Sequence, residues 1–289
     1  MEPRAPLDPG FGSIFFVGTA TTVIRFGGFT VLTDPNFLHR GEAVRLGYGL
    51  RSRRRTDPAI EVGDLPPLDL VVLSHLHEDH FDRVAEAKLP RSVPIVTTPS
   101  AAGILAKRGF RNPEPVKTWR SVAFRRGPMR LLVTSMPARH GPPAVSRLLP
   151  ATMGSMLDYE RNGERVFRLY VSGDTLVHER LREIPVRYPD IDLALLHLGG
   201  TRIGGVLLTM DGQQGVACLK IVEPRTAIPI HFDDYPVFRS PLVDFQERVR
   251  AEGLEDRIHY LARGESFEFH VGPPAPSPWA GGPSPSLSS

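Results

Sequence analysis

The sequence of 289 residues contains a single cysteine, Cys218, so it can form no intramolecular disulfide. One thiol is typical of a protein from a reducing compartment. Cys218 lies in the segment 215–222, which has the apolar character of a helix face and predicts a buried structural thiol rather than a nucleophile. The cysteine content therefore excludes a disulfide-stabilised fold and gives no support to cysteine catalysis.

Long apolar runs and a strong net charge are also missing. No run approaches the roughly 20 residues of a membrane-spanning helix, and residues 1–10 lack the apolar stretch of a secretory signal. We therefore expect a cytoplasmic protein without integral membrane segments. The net charge of +3 at pH 7 is too small to indicate a nucleic-acid partner, and we expect none.

The chain does contain a dense group of imidazoles and carboxylates at 74–80, with the sequence Ser-His-Leu-His-Glu-Asp-His. This group follows an apolar segment that predicts a buried strand. Neutral imidazole and carboxylate are the ligands that zinc-like divalent metals prefer. Because residues i and i+2 of a strand share a side, His75 and His77 can face one metal. If the chain turns after His77, Asp79 and His80 can face a second one.

Two metals need more ligands than this segment provides, since each takes at least three protein groups. Further candidates each follow a predicted strand or a short apolar run. These are His140 after 130–135, Asp174 after 167–172 and His231 after 226–230. Short strands that end in candidate ligands indicate a metal centre assembled from several strand ends.

The pattern H-x-H-x-D-H, then a His, an Asp in a G-D-T turn and a final His, resembles that of the metallo-β-lactamase-fold hydrolases. The resemblance covers about residues 13–270. It implies an α+β fold, a four-layer αββα sandwich, in a single domain over 1–271. The ligands that it implies are His75, His77 and His140 on the first metal, and Asp79, His80 and His231 on the second, with Asp174 bridging both.

Two divalent ions about 3.5–4 Å apart can share a water and lower its pKa from about 15.7 toward about 7, which gives a hydroxide nucleophile. We expect Asp79 to orient this hydroxide. His197, at the end of a predicted strand, is expected to contact substrate or donate a proton, and a structural histidine is the alternative. Asp34 is a candidate to orient His77 and its neighbours. Zn²⁺ suits the ligands best, with Mn²⁺ or Fe as alternatives.

A basic segment before the metal-binding residues indicates an anionic substrate. Its arginines are Arg40, Arg45, Arg51, Arg53, Arg54 and Arg55. Guanidinium groups suit phosphate and carboxylate, although a solvated basic loop is the alternative interpretation. We expect Arg53 and Arg54 to contact substrate, together with Arg139 beside His140.

Within the superfamily, Thr33-Asp34-Pro35 and Pro137-Ala-Arg-His140 are similar to the N-acyl-phosphatidylethanolamine phospholipase D and ascorbate-phosphate lactonase branch. This resemblance implies hydrolysis of a phosphodiester or lactone in an anionic small molecule or lipid headgroup. Gly18-Thr19 departs from the Gly-His that branch members often carry, at a position expected near the substrate. Candidates for an apolar lipid groove are Phe37, Leu38, Leu46, Leu148, Leu149 and Met153.

Two other functions remain open from the sequence. A metal-dependent nuclease would use the arginine segment as a phosphate track, and a non-catalytic metal-bound sensor would need no substrate site. The oligomeric state is left open as well.

The remaining pattern predicts three meander strands at 13–17, 21–26 and 29–33, followed by a long loop over 35–67. A helix over 100–107 is predicted to be capped by Ser100. Composition predicts a disordered Pro/Ser/Gly-rich tail over 272–289.

Overall fold

Seventeen strands and six α-helices form the part of the chain that the computed structural model describes, residues 10–46 and 51–271. The strands are β1 (Phe11–Gly18), β2 (Thr21–Phe26), β3 (Phe29–Thr33), β4 (Ala43–Arg45), β5 (Arg51–Arg53), β6 (Leu70–Val72), β7 (Ile95–Thr97), β8 (Pro113–Pro115), β9 (Ser121–Arg126), β10 (Met129–Met136), β11 (Gly154–Arg161), β12 (Glu164–Val171), β13 (Leu193–His197), β14 (Arg202–Ile203), β15 (Val206–Leu207), β16 (Thr226–Ile230) and β17 (Ser266–His270). The helices are α1 (Arg83–Lys88), α2 (Pro99–Lys107), α3 (Pro143–Ser146), α4 (Glu183–Arg187), α5 (Gly212–Val222) and α6 (Leu242–Ala251). The predicted disordered tail over 272–289 lies outside the described residues.

Two mixed sheets contain most of these strands. Within the described ranges, the first sheet has seven strands in the order β17-β1-β2-β3-β6-β7-β8 and the second has six in the order β16-β13-β12-β11-β10-β9. Strands β3, β6, β7 and β8 run parallel to one another, as do β12, β13 and β16. The other neighbours in both sheets are antiparallel.

Alternating side chains of the strands build the core between the sheets and a second layer outside each one. On β13, Leu193 and Leu195 face the other sheet, whereas Ala194 and Leu196 pack on the helical side with residues of α5 and α6. The outer face of the first sheet is covered in the same way by α1 and α2. Helix, sheet, sheet and helix therefore form four layers, which confirms the predicted αββα sandwich.

The parallel strands bring distant residues together at one edge of the sandwich. β3 and β6 end beside each other because Thr33 pairs with Val72, and the backbone N–H of Asp34 donates to the carbonyl of Val72 (3.1 Å). In the second sheet, the carboxyl ends of β12, β13 and β16 are neighbours. Residues that follow these strands therefore meet, as the ends of parallel strands do.

Two local predictions differ from the structure. The loop predicted over 35–67 contains the antiparallel ribbon β4–β5 and a 3₁₀ helix at Val62–Asp64. Helix α2 begins at Pro99 and is capped by the side chain of Thr98, which accepts from Ala101 N, so the predicted cap at Ser100 was wrong. Thr98 fits because its extended backbone precedes a proline at the first helical position.

Candidate metal centre

Three histidines from two segments form the first half of the site. His75 and His77 follow β6, and His140 follows β10. His75 Nε2 lies 2.9 Å from His77 Nδ1, and His140 Nε2 lies 3.3 Å from the same atom. The ligand atoms of the three residues lie within 4.8 Å of one another, a spacing that can hold one metal ion.

A second group contains Asp79, His80 and His231, whose ligand atoms also lie within 4.8 Å of one another. His80 Nε2 is 3.1 Å from His231 Nε2, and Asp79 Oδ2 is 3.5 Å from His231 Nε2. His231 follows β16 and has a left-handed backbone with φ of +62°. Such strain in a non-glycine residue is often found at functional sites.

Asp174 lies between the two groups. Its Oδ2 is 3.3 Å from His80 Nε2 and 3.9 Å from the Nε2 atoms of both His75 and His140. Oδ1 of Asp174 and Oδ1 of Asp79 are buried and have no hydrogen-bond partner within the described residues. Two buried carboxylate oxygens without donors indicate that cations complete the site.

The outer hydrogen bonds of the histidines fix their tautomers in the form that metal binding requires. His140 Nδ1 lies 3.0 Å from the carbonyl oxygen of Leu208, and His231 Nδ1 lies 3.1 Å from that of Leu198. A carbonyl only accepts, so each Nδ1 carries the proton and each Nε2 presents its lone pair inward. Carbonyl partners of this kind are typical of metal-binding histidines.

Histidines of the first group are held neutral. Burial lowers the pKa of His75 well below its ordinary value and that of His77 to about 4, with repulsion from neighbouring imidazoles adding to the effect. Burial also lowers the pKa of His140. Neutral imidazole is the form that coordinates a metal, so these residues need not lose a proton first.

Positive charge is favoured around Asp174. Burial opposes protonation of His80, but the carboxylates of Asp174 and Asp34 raise its pKa well above the ordinary value. The pKa of His231 is also raised: burial opposes this, and the carboxylates of Asp174 and Asp79 together outweigh it. Conversely, burial would raise the pKa of Asp174, yet His231 and His80 hold it well below the usual range. A metal ion can supply the positive charge in place of these protons.

Asp34 supports His80 rather than His77. Its Oδ2 lies 3.3 Å from His80 Nδ1 and 3.2 Å from His197 Nε2. Burial would raise the pKa of Asp34, but His80 and His197 lower it to about 2, so this carboxyl group is ionised. The prediction that Asp34 orients a histidine of the loop therefore agrees with its position, with His80 as the residue concerned.

His197 lies behind the ligands and is fully buried. Nε2 faces Asp34, Nδ1 lies 3.3 Å from Ser172 Oγ, and the ring stacks on that of His80 at a centroid distance of 5.8 Å. Both ring nitrogens thus face protein groups. This position favours the structural alternative for His197 over contact with substrate.

The three arginines predicted to contact substrate have different environments. Arg54 is buried, and its Nη1 donates to the carbonyl oxygen (3.0 Å) and Oδ1 (2.6 Å) of Asn36, which is a structural position. Arg53 is exposed and donates to the carbonyl of Gly41 (2.8 Å). Arg139 is half-buried and donates through its backbone N–H to Thr175 Oγ1 (2.9 Å), beside Asp174.

The Gly18-Thr19 turn is a structural support for the second group. Thr19 is fully buried, its carbonyl accepts from His231 N (2.6 Å) and its own N–H donates to Asp234 Oδ2 (2.6 Å). Thr19 therefore has a structural role, and the expectation that this departure from the branch pattern lies on the substrate side stays a prediction. Thr19 acts on the backbone of a ligand from within the protein.

Two serines at the site have no separate signal in the sequence. Ser74 donates through both its backbone N–H (2.7 Å) and its hydroxyl (2.9 Å) to Asp34 Oδ1, and its hydroxyl lies 3.0 Å from His75 Nδ1. Ser172 accepts from His197 N (2.9 Å). Their position directly before a ligand segment is the signal that could have identified them.

Comparison with known proteins agrees with this architecture. The family model described as a beta-lactamase superfamily domain matches residues 30–232, more than half of the chain, which therefore belongs to this family. A metal-dependent hydrolase of the UPF0173 group from Methanopyrus kandleri is 25% identical over 88% of this chain and 99% of its own length. A second one, from Thermus thermophilus, is 29% identical over 86% of this chain and 96% of its own length.

A solved structure shares the fold. The isothiocyanate hydrolase from Delia radicum gut bacteria superposes with a TM-score of 0.75 over 90% of this chain and 100% of its own, at 21% sequence identity. At this identity the likeness establishes the metallo-β-lactamase fold. The helices contribute one further finding: none among the described residues has the length and apolar character needed to cross a membrane.

Proposed function

We propose that this protein is a metal-dependent hydrolase that uses two divalent ions, most suitably Zn²⁺, to cleave an ester-type bond in an anionic small molecule. The observation that carries the proposal is the pair of three-ligand groups with Asp174 between them, together with two buried carboxylate oxygens that have no donor among the described residues. The relatives from M. kandleri and T. thermophilus are described as metal-dependent hydrolases, which supports the same class of activity.

The seven proposed ligands divide between the two ions. His75, His77 and His140 would hold one ion and Asp79, His80 and His231 the other, with Asp174 facing both. Ions held there would polarise an ester-type carbonyl or phosphoryl group and lower the pKa of water to about 7. Imidazole and carboxylate donors without a thiolate suit Zn²⁺, and Mn²⁺ or Fe are the alternatives.

The protein groups around the ions would orient the reaction. Asp79 Oδ1, which has no donor in the part of the chain that the structure describes, lies on the side of the second group, where it can accept a proton or orient water. His77 is the least buried ligand and marks the side from which substrate enters. Asp34 and Ser74 hold the rings of His80 and His75 in place.

A small anionic substrate fits the surroundings better than a lipid. Of the residues predicted to line an apolar groove, Phe37, Leu38 and Met153 are core residues, and Leu46 is buried as well. Only Leu148 in that set is strongly exposed. Phosphodiester and lactone substrates both contain an ester-type bond and an anionic or polar neighbour, so both belong in a first screen.

The test combines metal analysis with turnover. Purified protein should contain about two metal ions per chain and hydrolyse bis-p-nitrophenyl phosphate or a lactone in a chelator-sensitive way. His140→Ala should lower the metal content and reduce kcat at least about 100-fold. The matched control is His259→Ala at an exposed histidine that belongs to neither three-ligand group, which should change neither quantity.

Retention of full metal content in His140→Ala would refute the ligand assignment. Two bound metals without turnover of any ester, lactone or phosphodiester would instead favour a metal-bound sensor. Cleavage of oligonucleotides in preference to small esters would favour a nuclease.

A further inference from the structure

A small basic concavity lies directly beside the metal-binding loop. It is lined by Ala43 and Arg45 of β4, Arg51 of β5, Glu78 and Arg83. Glu78 stands between the proposed ligands His77 and Asp79 in the chain, so its Cα lies about 3.8 Å from each of theirs. The concavity is therefore adjacent to the metal centre on the side of the least buried ligand, His77.

Like charges are placed opposite each other in this ribbon. Arg45 of β4 pairs directly with Arg51 of β5, and both side chains are exposed. Within the described part of the chain, neither guanidinium has an ion-pair or hydrogen-bond partner. Identical charges at directly opposed positions destabilise an antiparallel pair, so this arrangement costs the free protein stability unless an anion joins them.

The opposite face of the ribbon fixes its position. Val44 and Ser52 alternate with the arginines and are buried, and Val44 packs in an apolar cluster with Leu38 and Tyr235. Since neighbouring residues of a strand point to opposite faces, burial of Val44 forces Arg45 outward. Packing of the buried face therefore holds the two arginines in position.

Two further contacts connect the ribbon to the site. The backbone N–H of Arg45 donates to Glu78 Oε2 (2.7 Å), and Arg83 Nη1 donates to the carbonyl of Ala43 (3.2 Å). Arg83 Nη2 also donates to Glu42 Oε1 (2.6 Å), so Arg83 is partly neutralised, and Glu78 adds one negative charge to the lining. The guanidinium groups of Arg45 and Arg51 therefore provide the positive charge that a ligand can use.

We propose that Arg45 and Arg51, with Arg83 at the margin, bind a phosphate or carboxylate group of the substrate while the scissile bond lies at the metals. Planar guanidinium groups form paired hydrogen bonds with such anions. The assignment as a substrate subsite rests on the proposed hydrolase function; the binding of an anion there does not. Within the basic segment, Arg45 and Arg51 thus take the substrate-binding role that was predicted from the sequence for Arg54, which is buried.

The experiment compares the double variant Arg45→Gln/Arg51→Gln with wild type. Its matched control is Arg111→Gln/Arg125→Gln, which removes the same charge from exposed arginines elsewhere on the surface. Calorimetric titration with inorganic phosphate into metal-loaded protein should give a Kd at least about tenfold weaker in the ribbon variant only. An equal Kd in wild type and the ribbon variant would overturn the proposal. Equal weakening in the ribbon variant and the control variant would also overturn it, because the effect would then come from the loss of overall positive charge.

Kinetics then separates the subsite from the chemistry. The ribbon variant should raise KM for an anionic phosphodiester at least about tenfold, with kcat changed less and with neutral p-nitrophenyl acetate unaffected. Equal loss with the neutral ester would contradict a role in anion recognition. If no ester is hydrolysed by wild type, the hydrolase proposal fails, while the phosphate titration still decides whether the arginines form an anion site.

A second pair of substrates identifies the source of the anion. A short-chain phospholipid in micelles and a water-soluble glycerophosphodiester present the same phosphate group. A selective loss with micelles in the ribbon variant would support recognition of a lipid headgroup, and a loss with both would support a soluble phosphate ester.

Discussion

Asp34 holds two histidines and a serine at the same time. Oδ1 accepts two hydrogen bonds from Ser74, and Oδ2 faces a ring nitrogen of both His80 and His197. Its φ of +34° belongs to the left-handed side of backbone space, which Asp and Asn adopt more readily than other residues with a side chain. Because His80 is held through Nδ1, its Nε2 is left to face the metal position.

Replacement Asp34→Asn isolates the charge of this contact. The amide retains an acceptor for Ser74 and tolerates the backbone conformation, but it places an N–H₂ group or a neutral oxygen against His80. We expect zinc affinity of the second group to fall about 10–100-fold with the fold retained. Metal content after dialysis at buffered free zinc measures this.

The matched control is Asp211→Asn, because Asp211 caps α5 through Gln214 N and asparagine is an equally good cap. Unchanged zinc affinity in Asp34→Asn would show that His80 keeps its orientation without the carboxylate.

The turn after β12 places Asp174, and Gly173 permits that turn. Gly173 has φ of +59°, and a Cβ there would lie 2.4 Å from the carbonyl oxygen of Met153. This contact is with backbone, so a side chain cannot be accommodated by a simple rotation. The position of the proposed bridging carboxylate thus depends on a residue that has no side chain.

Gly173→Ala should therefore both destabilise the protein and displace Asp174. Gly163→Ala is a matched control, since Gly163 also has a positive φ (+92°) but, apart from its two chain neighbours, no described residue has an atom within 4 Å of the added Cβ. We expect about 1–2 kcal/mol for Gly163→Ala, from backbone strain alone, and a further ~1–3 kcal/mol for Gly173→Ala from the clash. Urea unfolding measures the free energies, and equal losses would contradict the argument.

Sequence patterns predicted the elements that have a strong apolar period and missed several others. Strands β2 and β3 have the predicted bounds because all their apolar residues are buried, which gives the sequence a clear strand pattern. Ribbon β4–β5 was missed because its exposed face consists mainly of arginine, which is also typical of a loop. β11, in which Gly154 precedes four polar or charged and three apolar or aromatic positions, was not predicted either.

The seven predicted ligands lie close together in the structure, whereas one of their supports, Asp34, contacts a different histidine from the one named first. Six of the seven proposed ligands lie in the two three-residue groups, and the seventh, Asp174, lies between them. The contact of Asp34 with His80 depends on the pairing of β3 with β6, at Thr33 and Val72. Tertiary packing sets the register of this strand pair, so the register cannot be predicted from the spacing of residues along the chain.

At the scale of the whole molecule, the metal centre connects the two sheets. One set of proposed ligands follows β6 of the first sheet, and the others follow β10, β12 and β16 of the second. Bound ions would thus stabilise the docking of the two halves in addition to any role in chemistry, because a metal that binds only the folded chain adds its binding free energy to stability.

Removal of metal should lower Tm by about 5–10 °C, since ligand at 100 times its Kd contributes about 2.7 kcal/mol and a chain of this size shifts about 2–4 °C per kcal/mol. Differential scanning calorimetry before and after chelation, with zinc re-addition as the control, measures the difference. The same Tm in all three samples would show that the centre does not contribute to the docking of the sheets.

The separation of His80 and His231 along the chain also determines when, during synthesis, the site can form. Their Nε2 atoms lie 3.1 Å apart, yet the residues are separated by 151 positions. At about 5–20 residues per second, a ribosome needs roughly 8–30 s to add the second after the first. A nascent chain therefore carries an incomplete set of ligands for most of its synthesis. If the two groups hold two ions as proposed, capture of the second would become possible only when the last strand of the second sheet has emerged, and a loaded centre would mark a nearly finished molecule.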